Sequence, residues 1–272
     1  MLLKDYIPNV RNEFKKTFFS GICFDSSKVK KDNIFFAIKG NNIDGNDFIP
    51  AAIKKGSKVI ISEKKKRKFQ NKILYIKTKN IRKLLAEVSF KIYKKKPKNL
   101  IAITGTNGKS SIADFYYQIL KLNKKKVASI GTLGVKSKKI KLKLLNTTIN
   151  PFHLGKILKE LKDQKIDNVI MEASSHGLKQ NRLDGLKFDT GIFTNLSQDH
   201  LDYHKNLKDY LIAKLYLFEK LLSIKGNVIT DEKIPEFRNI KKIALKRNLK
   251  IYSINNPKNH FKILSHYFLG EK

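Results

Sequence analysis

The sequence predicts an α/β fold in which a small N-terminal α/β domain precedes a larger domain with a mostly parallel sheet. Apolar runs of strand length alternate with amphipathic helical patterns, which is typical of parallel strands covered by helices. A glycine-rich segment, Thr104–Ser111, stands between one such run and one such helix, as phosphate-binding loops do. The lysine- and proline-containing stretch Lys94–Lys98 separates two alternating regions and indicates a domain boundary.

The N-terminal region has the patterns of a small α/β unit. Its predicted strands are Phe35–Ile38, Val59–Ile61 and Ile73–Ile76. Helices are predicted at Ile49–Lys54 and over residues 81–92, where apolar residues recur at helical spacing. We therefore assign residues 1–97 to the first domain and residues 98–272 to the second.

The second region alternates in the same way over a longer stretch. Its predicted strands are Leu100–Ile103, Val127–Ile130, Asn168–Met171, Thr190–Phe193 and Asn227–Thr230. Helical spacing of apolar residues follows the glycine-rich segment, from Ile112 to Leu120, and recurs from Leu154 to Leu161. These patterns predict one sheet with covering helices.

The glycine-rich segment has the features of a loop that binds ATP. At a helix start, unpaired N–H groups and the helix dipole attract an anion, and Gly105 and Gly108 let the backbone approach it. Lys109 can reach the terminal phosphates, and the Ser110 hydroxyl can bind Mg²⁺. Ile103 stands where the Walker pattern has its first glycine, so the loop is a shortened one; a structural turn is the alternative. The predicted nucleotide-binding residues are Gly105, Thr106, Asn107, Gly108, Lys109, Ser110 and Ser111.

The basic composition does not indicate a nucleic-acid partner. The formal charge is +35, but only six of the 58 basic residues are arginine, the residue that nucleic-acid readers favour. Lysine runs such as Lys94–Lys96 are interpreted as solvated loops, with a polyanion patch as the alternative.

Cysteine usage and hydropathy predict a cytoplasmic protein without a membrane partner. We expect a monomer, although no pattern in the sequence specifies the oligomeric state. The only cysteine, Cys23, cannot form an internal disulfide, which fits a reducing compartment. No apolar run approaches the roughly 20 residues of a membrane helix. The start Met1–Lys4 lacks the apolar segment of a signal peptide.

An acidic residue and two histidines are weighed as metal ligands. Glu172 follows an apolar run, so it should emerge at the carboxyl end of a strand and could hold Mg²⁺ there; an exposed turn residue is the alternative. His200 and His204 are four residues apart and could face one zinc ion, but neither a cysteine cluster nor an H-E-x-x-H motif accompanies them. His176 is interpreted as a structural loop histidine.

Separated segments of the chain form a series of motifs. They are F-D-S-S-K-V, N-I-F-F-A-I-K-G, G-T-N-G-K-S, N-T-T-I-N-P, M-E-A-S-S-H-G-L-K-Q-N-R, F-T-N-L-S-Q-D-H-L-D-Y-H and Y-L-I-A-K. In this order they resemble the Mur ligases, ATP-dependent enzymes that add amino acids to the peptidoglycan precursor. The last three strings resemble the branch that adds the third peptide residue. The resemblance implies an N-terminal uridine-nucleotide-binding domain followed by an incomplete P-loop ATPase domain.

The resemblance also implies a reaction and its substrates. Meso-diaminopimelate or L-lysine would be added to UDP-N-acetylmuramoyl-L-alanyl-D-glutamate. A carboxylate of the D-glutamate would attack the ATP γ-phosphate, and an amine of the diamino acid would displace phosphate from the acyl phosphate. Family members have three domains, so we expect a chain of 272 residues to lack the third and to be inactive alone.

The resemblance assigns substrate contacts position by position. Phe24 and Ser26 would lie beside the uridine nucleotide, with Asn41, Asn42 and Ile43 in the loop that closes on it. The residues implied to contact the muramoyl peptide are Asn146, Thr147, Thr148, Ser174, Gln180 and Arg182. Two positions depart from the family pattern: Ser27 stands where the family usually has arginine, and Ile149 where many members have proline.

The catalytic residues implied by the resemblance are Lys109, Glu172, His200 and Lys214. Lys214 would react with CO₂ to form a carbamate that holds Mg²⁺ together with Ser110, Glu172 and His200, while His204 would be structural. On sequence alone, a lysine on an amphipathic helix is expected to face water. The rival interpretations are a remnant that only binds nucleotide, a folylpolyglutamate synthetase-like ligase and a basic nucleic-acid-binding NTPase.

Overall fold

The computed structural model describes residues 1–40, 42–64, 69–144, 146–199 and 203–254. They form two sheets of unequal size, each with helices packed against it. No helix within these ranges is long and apolar enough to cross a bilayer.

The smaller sheet belongs to the N-terminal region. Its strands are β1 (Gly21–Cys23), β2 (Asn33–Phe36), β3 (Val59–Ser62), β4 (Phe69–Gln70) and β5 (Ile73–Lys77), in the order β1-β2-β3-β5-β4. All neighbours are parallel except β4 and β5. The helices are α1 (Ile49–Lys54) and α2 (Ile81–Ile92). The predicted strands and helices are confirmed within a few residues, whereas β1 and β4 are too short to show a periodicity.

The larger sheet is mostly parallel, as predicted. Its strands are β6 (Asn99–Thr104), β7 (Val127–Gly131), β8 (Gly134–Lys136), β9 (Lys141–Leu142), β10 (Asn168–Glu172), β11 (Phe188–Phe193), β12 (Leu222–Thr230) and β13 (Lys250–Ser253). The order is β13-β12-β11-β6-β10-β7-β8-β9. The pairs β7–β8 and β8–β9 are antiparallel, and the other neighbours are parallel. Since β6 lies at the centre, the loop after it emerges in the middle of the sheet edge that carries the strand ends.

Helices cover the two faces of this sheet unequally. The helices are α3 (Lys109–Leu122), α4 (Pro151–Asp163), α5 (Ser175–Lys179), α6 (Leu207–Tyr216), which continues into a π-helical turn, and α7 (Phe237–Arg247). The main core lies on the face of α4, whereas α3 packs on the other face through Ala113.

The apolar spacing of α3 predicts the helix correctly but not its burial. Phe115 is 61% exposed and Ile119 is 57% exposed, and Ala113 is the buried residue of the helix. These side chains point away from the sheet, and no other described element covers them. Periodicity predicts the helix because it follows the backbone repeat, whereas burial depends on what packs against it.

Helix α2 joins the two sheets, because its two sides belong to different cores. Leu84 and Leu85 pack in the core of the smaller sheet, while Ala86 and Phe90 pack in the core of the larger one. Helix α2 also packs against α4, and a cavity opens between the starts of these two helices.

Candidate active site

The carboxyl ends of the central parallel strands meet at a polar cavity of about 270 Å³. Strand β6 leads into the glycine-rich loop, β7 into Thr132, and β10 ends at Glu172. The cavity is lined by Gly105, Thr106, Asn107, Gly108, Lys109, Ser110, Ser111, Thr132, Thr147, Glu172, Ser174, Ser175, Tyr210 and Lys214. Open parallel sheets place their ligands at this edge, and the seven predicted loop residues all line the cavity.

Two glycines give the loop its shape. Gly105 has φ +147°, and a Cβ there would lie 1.8 Å from Thr194 Oγ1, so a side chain would collide with the next strand end. Gly108 has φ +81° and directly precedes α3, in the left-handed region that costs other residues roughly 1–2 kcal/mol. The backbone N–H groups at the start of α3 consequently face the cavity.

The segment after β11 is hydrogen-bonded to the backbone of the glycine-rich loop, a contact that was not predicted from the sequence. Thr194 Oγ1 donates to Asn107 O at 2.7 Å, and Asn195 Oδ1 accepts from Asn107 N at 3.0 Å. The Thr106 amide donates to Asn195 O at 2.9 Å. The signal that could have identified both residues is their place directly after an apolar run, at the same sheet edge as Glu172.

Glu172 is a buried carboxylate with neutral hydrogen-bond donors around it. It is 3% exposed, and the Ser110 hydroxyl donates to its two oxygens at 3.0 and 3.1 Å. Thr132 donates from its amide at 2.8 Å and from its hydroxyl at 3.1 Å. Thr132 Oγ1 also lies 3.0 Å from Thr147 Oγ1. The alternative of an exposed turn residue is therefore wrong, and the carboxylate is held in one orientation.

Two lysine ammonium groups meet at one backbone carbonyl. Lys109 Nζ donates to Gly105 O at 2.9 Å and to Thr106 O at 2.7 Å, and Lys214 Nζ donates to Gly105 O at 2.7 Å. Burial lowers the pKa of Lys109, against an opposing effect of Glu172 and Asp199. Burial and, next, the Lys109 charge lower the pKa of Lys214 to about 7. At neutral pH a substantial fraction of Lys214 is therefore an uncharged amine.

Lys214 is 1% exposed, which corrects the expectation of a solvent-facing lysine. Its ammonium lies 4.0 Å from the ring centroid of Tyr210, one helical turn earlier in α6. The Tyr210 hydroxyl lies 3.3 Å from Thr106 Oγ1, and burial raises the pKa of that phenol. Helix α6 thus places Lys214 and Tyr210 against Gly105 and Thr106 of the phosphate loop.

A second cavity, of about 170 Å³, opens between the starts of α2 and α4. It is lined by Phe24, Ile38, Arg82, Leu85, Asn146, Asn150, Pro151, Gln180 and Arg182. Four of the predicted substrate residues, Phe24, Asn146, Gln180 and Arg182, meet here although they come from distant parts of the chain. Arg182 donates from Nε and Nη2 to Gln180 Oε1 at 3.1 and 2.8 Å and from Nη1 to Thr148 O.

Other predicted substrate residues lie around the two cavities. Thr148 is buried, and its hydroxyl donates to Glu172 O at 2.9 Å and accepts from the Ser174 amide at 2.9 Å, so it ties the two cavities together. Asn42 and Ile43 are exposed near Lys39, and Ser26 begins a short 3₁₀ turn.

The two departures from the family pattern have simple structural settings. The amide and hydroxyl of Ser27 both donate to Asp25 Oδ1, at 2.9 and 2.7 Å, and these bonds lower the pKa of Asp25. Ile149 is buried in the main core. Neither residue reaches the phosphate loop.

His204 and His176 lie in different surroundings. His204 is buried, and its Nε2 lies 3.0 Å from Ser175 Oγ, which agrees with a structural role. His176 is in α5 rather than in a loop and stacks on Tyr203 at 3.9 Å. The predicted residues Asn41 and His200 lie outside the described residues.

The oxygen atoms of the first cavity fit Mg²⁺, which prefers one or two carboxylates together with phosphate oxygens. Glu172 and Ser110 supply a carboxylate and a hydroxyl beside the place where phosphates would lie. No group of three or more His, Cys, Asp or Glu side chains with the spacing of a metal site occurs in the described ranges, so the set is not that of an all-protein metal cage.

Comparison with known proteins agrees with this geometry. The Mur ligase middle-domain model matches residues 103–269, and the Mur ligase family catalytic-domain model matches residues 19–91. The chain belongs to the Mur ligase family. As a Mur ligase, it has its phosphate loop at the start of the middle-domain match and Lys214 within it.

Curated Mur ligases are similar over most of this chain. A UDP-N-acetylmuramoyl-L-alanyl-D-glutamate–2,6-diaminopimelate ligase of Rickettsia conorii is 41% identical over 251 residues, covering 90% of this chain and 52% of the relative. One of the same name from Buchnera aphidicola is 40% identical over 221 residues, covering 78% and 44%. The chain spans about half the length of the relatives it matches.

Solved structures give the same result for the fold. A structure of a UDP-N-acetylmuramoyl-L-alanyl-D-glutamate–2,6-diaminopimelate ligase superposes with a TM-score of 0.82 at 27% identity, covering 95% of this chain and 53% of that one. A MurF ligase from Thermotoga maritima in complex with ADP superposes with a TM-score of 0.55 at 20% identity, covering 86% and 50%. The second likeness concerns the fold alone.

Proposed function

We propose that this chain carries the ATP-binding and precursor-binding parts of a ligase that adds a diamino acid to UDP-N-acetylmuramoyl-L-alanyl-D-glutamate. The observation that supports it most is the convergence of Lys109, Lys214 and Glu172 on one cavity beside a phosphate loop. The names of the curated relatives favour 2,6-diaminopimelate over L-lysine as the added residue. We propose the same two domains as before, residues 1–97 and 98–272.

ATP would bind with its phosphates along the start of α3. The amides between Gly105 and Ser111 would hold the phosphate oxygens, and Lys109 Nζ would move from the two loop carbonyls to the terminal phosphates. A cation beside the transferring phosphoryl group stabilises the charge that develops on it.

Ser110 and Glu172 would hold Mg²⁺, together with His200 and carbamylated Lys214. The metal, when bound, supplies charge neutralisation for the phosphoryl group. The existing hydrogen bonds from Ser110 and Thr132 fix the Glu172 carboxylate in advance, so little reorganisation is required when a cation arrives.

Lys214 would be modified in its uncharged form. Its amine nitrogen would attack the carbon of CO₂ and release one proton, which replaces a buried cation with an anion bearing two oxygens. The pKa of about 7 supports this step, because an amine with an ordinary pKa would be almost entirely protonated at neutral pH. Because Lys214 and Glu172 line the same cavity, the new oxygens would lie in the cavity that holds the Glu172 carboxylate.

The precursor would occupy the second cavity and extend to the first. Phe24 and Ser26, with Asn41, Asn42 and Ile43, would hold the uridine nucleotide, and Asn146, Thr147, Thr148, Ser174, Gln180 and Arg182 the muramoyl peptide. The terminal carboxylate of the peptide would then attack the γ-phosphorus, ADP would leave, and the incoming amine would displace phosphate from the carbonyl carbon. Binding both reactants in this geometry supplies catalysis without a protein nucleophile.

We further propose a monomeric, cytoplasmic protein whose partners are these substrates, with neither nucleic acid nor membrane among them.

The test of this function measures binding first and ligation second. Calorimetry with the 272-residue chain should show binding of ATP and of UDP-N-acetylmuramoyl-L-alanyl-D-glutamate, but not of dihydrofolate. A protein of the relatives' length that contains this sequence should form the tripeptide product with meso-diaminopimelate, detected by mass spectrometry. ATP binding without precursor binding would identify a nucleotide-binding remnant, and folate binding a folylpolyglutamate synthetase-like ligase.

A further inference from the structure

Two arginines from distant parts of the chain line the second cavity. Arg82 is in the first turn of α2, which packs on the smaller sheet, and Arg182 follows α5 beside the larger sheet. They are 100 positions apart in the chain, and both line the cavity between the starts of α2 and α4.

Both guanidinium groups are held by neutral acceptors. Arg82 Nη2 donates to Lys39 O at 2.9 Å, and Arg182 donates to Gln180 Oε1 and Thr148 O. The described residues that line this cavity include no carboxylate. Both arginines line the same cavity, and burial and, next, the Arg82 charge lower the pKa of Arg182. Like charges at a partly buried site favour an anion between them.

Arginine is rare among the basic residues of this chain, so the occurrence of two arginines at one cavity indicates a specific role. Arginine accounts for six of 58 basic residues, so an arginine stands out against the lysine background. Arg247 has a structural role, because its guanidinium donates to the backbone carbonyls Phe218 O and Leu222 O at 2.7 and 3.0 Å. Arg82 and Arg182 share a cavity instead. A planar guanidinium can bind an oxyanion through two parallel hydrogen bonds, which a lysine ammonium cannot do.

We propose that Arg82 is a substrate-positioning residue that binds an oxyanion of the UDP-muramoyl peptide jointly with Arg182. This inference rests on the proposed function and adds a residue to its binding site. The oxyanion is either the diphosphate or a peptide carboxylate, both of which offer paired oxygen acceptors. A substrate bound by both arginines connects α2 to the segment after α5, so that the precursor is fixed relative to the phosphate loop.

The test is the substitution Arg82→Lys in the 272-residue chain, with Arg238→Lys as the matched control on an exposed face of α7. Calorimetry should show at least a tenfold loss of affinity for UDP-N-acetylmuramoyl-L-alanyl-D-glutamate in Arg82→Lys. The control should bind within twofold of the parent chain. ATP affinity and the melting temperature should be unchanged in both variants, because the lysine keeps the charge and can still donate to Lys39 O.

A second ligand identifies which oxyanion is bound. UDP-N-acetylglucosamine carries the diphosphate without a carboxylate. An equal loss of affinity for both ligands assigns Arg82 to the diphosphate, and a loss confined to the muramoyl dipeptide assigns it to a carboxylate.

Three results would overturn the inference. Parent-like binding of the dipeptide precursor by Arg82→Lys refutes the role of Arg82 and leaves the proposed function intact. A loss of ATP affinity as large as that for the precursor shows a general structural effect instead. Failure of the parent chain to bind the precursor while it binds ATP refutes both the precursor assignment and the role of Arg82.

Discussion

The phosphate-loop cavity, lined by Gly105–Ser111, and the arginine cavity, lined by Arg82 and Arg182, treat their charges in opposite ways. In the phosphate-loop cavity, Glu172 accepts hydrogen bonds from Ser110 and Thr132, and both lysines donate to backbone carbonyls. In the arginine cavity, two cations line the same space and no carboxylate contributes to the described lining. The first cavity is built to orient its groups before a ligand arrives, whereas the second gains its counter-charge from the ligand.

This difference predicts that substitutions in the two cavities affect the binding of different ligands. Substitutions at the phosphate loop should change nucleotide binding and stability, because the loop is braced by many internal hydrogen bonds. Substitutions of the arginines should change precursor binding and leave the loop unaffected. A variant of one cavity that altered binding at the other would contradict this separation.

The largest expected effect is that of Lys214→Ala on ligation by a protein of the relatives' length. Losing a charged group beside the transferring phosphoryl should lower kcat by about 10³-fold, or roughly 4 kcal/mol. Excess CO₂ should not restore the activity, whereas a short carboxylic acid should restore part of it. Lys208→Ala, at an exposed position of the same helix, is the control. Full activity of Lys214→Ala would make this residue purely structural.

Gly105→Ala should have the next largest effect, on stability. The added Cβ would lie 1.8 Å from Thr194 Oγ1 at φ +147°, so we expect a loss of about 3 kcal/mol in the free energy of unfolding. Gly108→Ala is the matched comparison, because a Cβ there meets no atom within 4 Å, and only about 1 kcal/mol of backbone strain is expected. Urea denaturation of both variants measures the difference. Equal losses would mean that contact with Thr194 does not shape the loop.

Lys109→Ala tests whether the two cavities are independent. ATP affinity should fall at least tenfold, about 1.4 kcal/mol, because the terminal phosphates lose their cation, while affinity for the UDP precursor should stay within twofold. Lys121→Ala, near the exposed end of the same helix, should change neither. Calorimetry with each ligand measures both affinities, and unchanged ATP binding would remove Lys109 from the nucleotide site.

The smallest expected effect, taken per pH unit, is a pH dependence of stability that comes from Lys214. Its pKa is about 7 in the folded chain and about 10.5 when unfolded, so between these values the unfolded state binds the additional proton. The free energy of unfolding should therefore rise with pH across this window, by at most about 1.4 kcal/mol per pH unit. The measurement compares the parent chain with Lys214→Met in CO₂-free buffer. Parallel curves for the two proteins would show that Lys214 is not buried as a free amine.

Local patterns of the sequence were sufficient for the phosphate loop. Strand β6, the glycines and helix α3 are consecutive, and apolar spacing with backbone conformation specifies them together. Glu172 was also predictable, since a polar residue at the end of a buried parallel strand reaches the ligand-binding edge of the sheet. The roles implied by family resemblance for Phe24, Gln180 and Arg182 remain predictions, although these residues do line one cavity.

The burial of α3 and of Lys214 could not be predicted from periodicity. The exposed Phe115 and the buried Lys214 both contradict the rule that apolar side chains face inward and charged ones outward. Each outcome depends on which element packs against the helix, and a helical repeat carries no information about that partner.

The sequence by itself determined the α/β class, the order of the main strands and helices, and the phosphate loop, because these follow from backbone periodicity and from consecutive residues. Tertiary structure alone decided that Lys214 donates to a carbonyl 109 positions earlier, that Thr194 and Asn195 brace the loop, and that Arg82 meets Arg182. These contacts depend on how strands and helices pack across the chain, which places distant residues within hydrogen-bond or electrostatic range and changes the charge that each can hold.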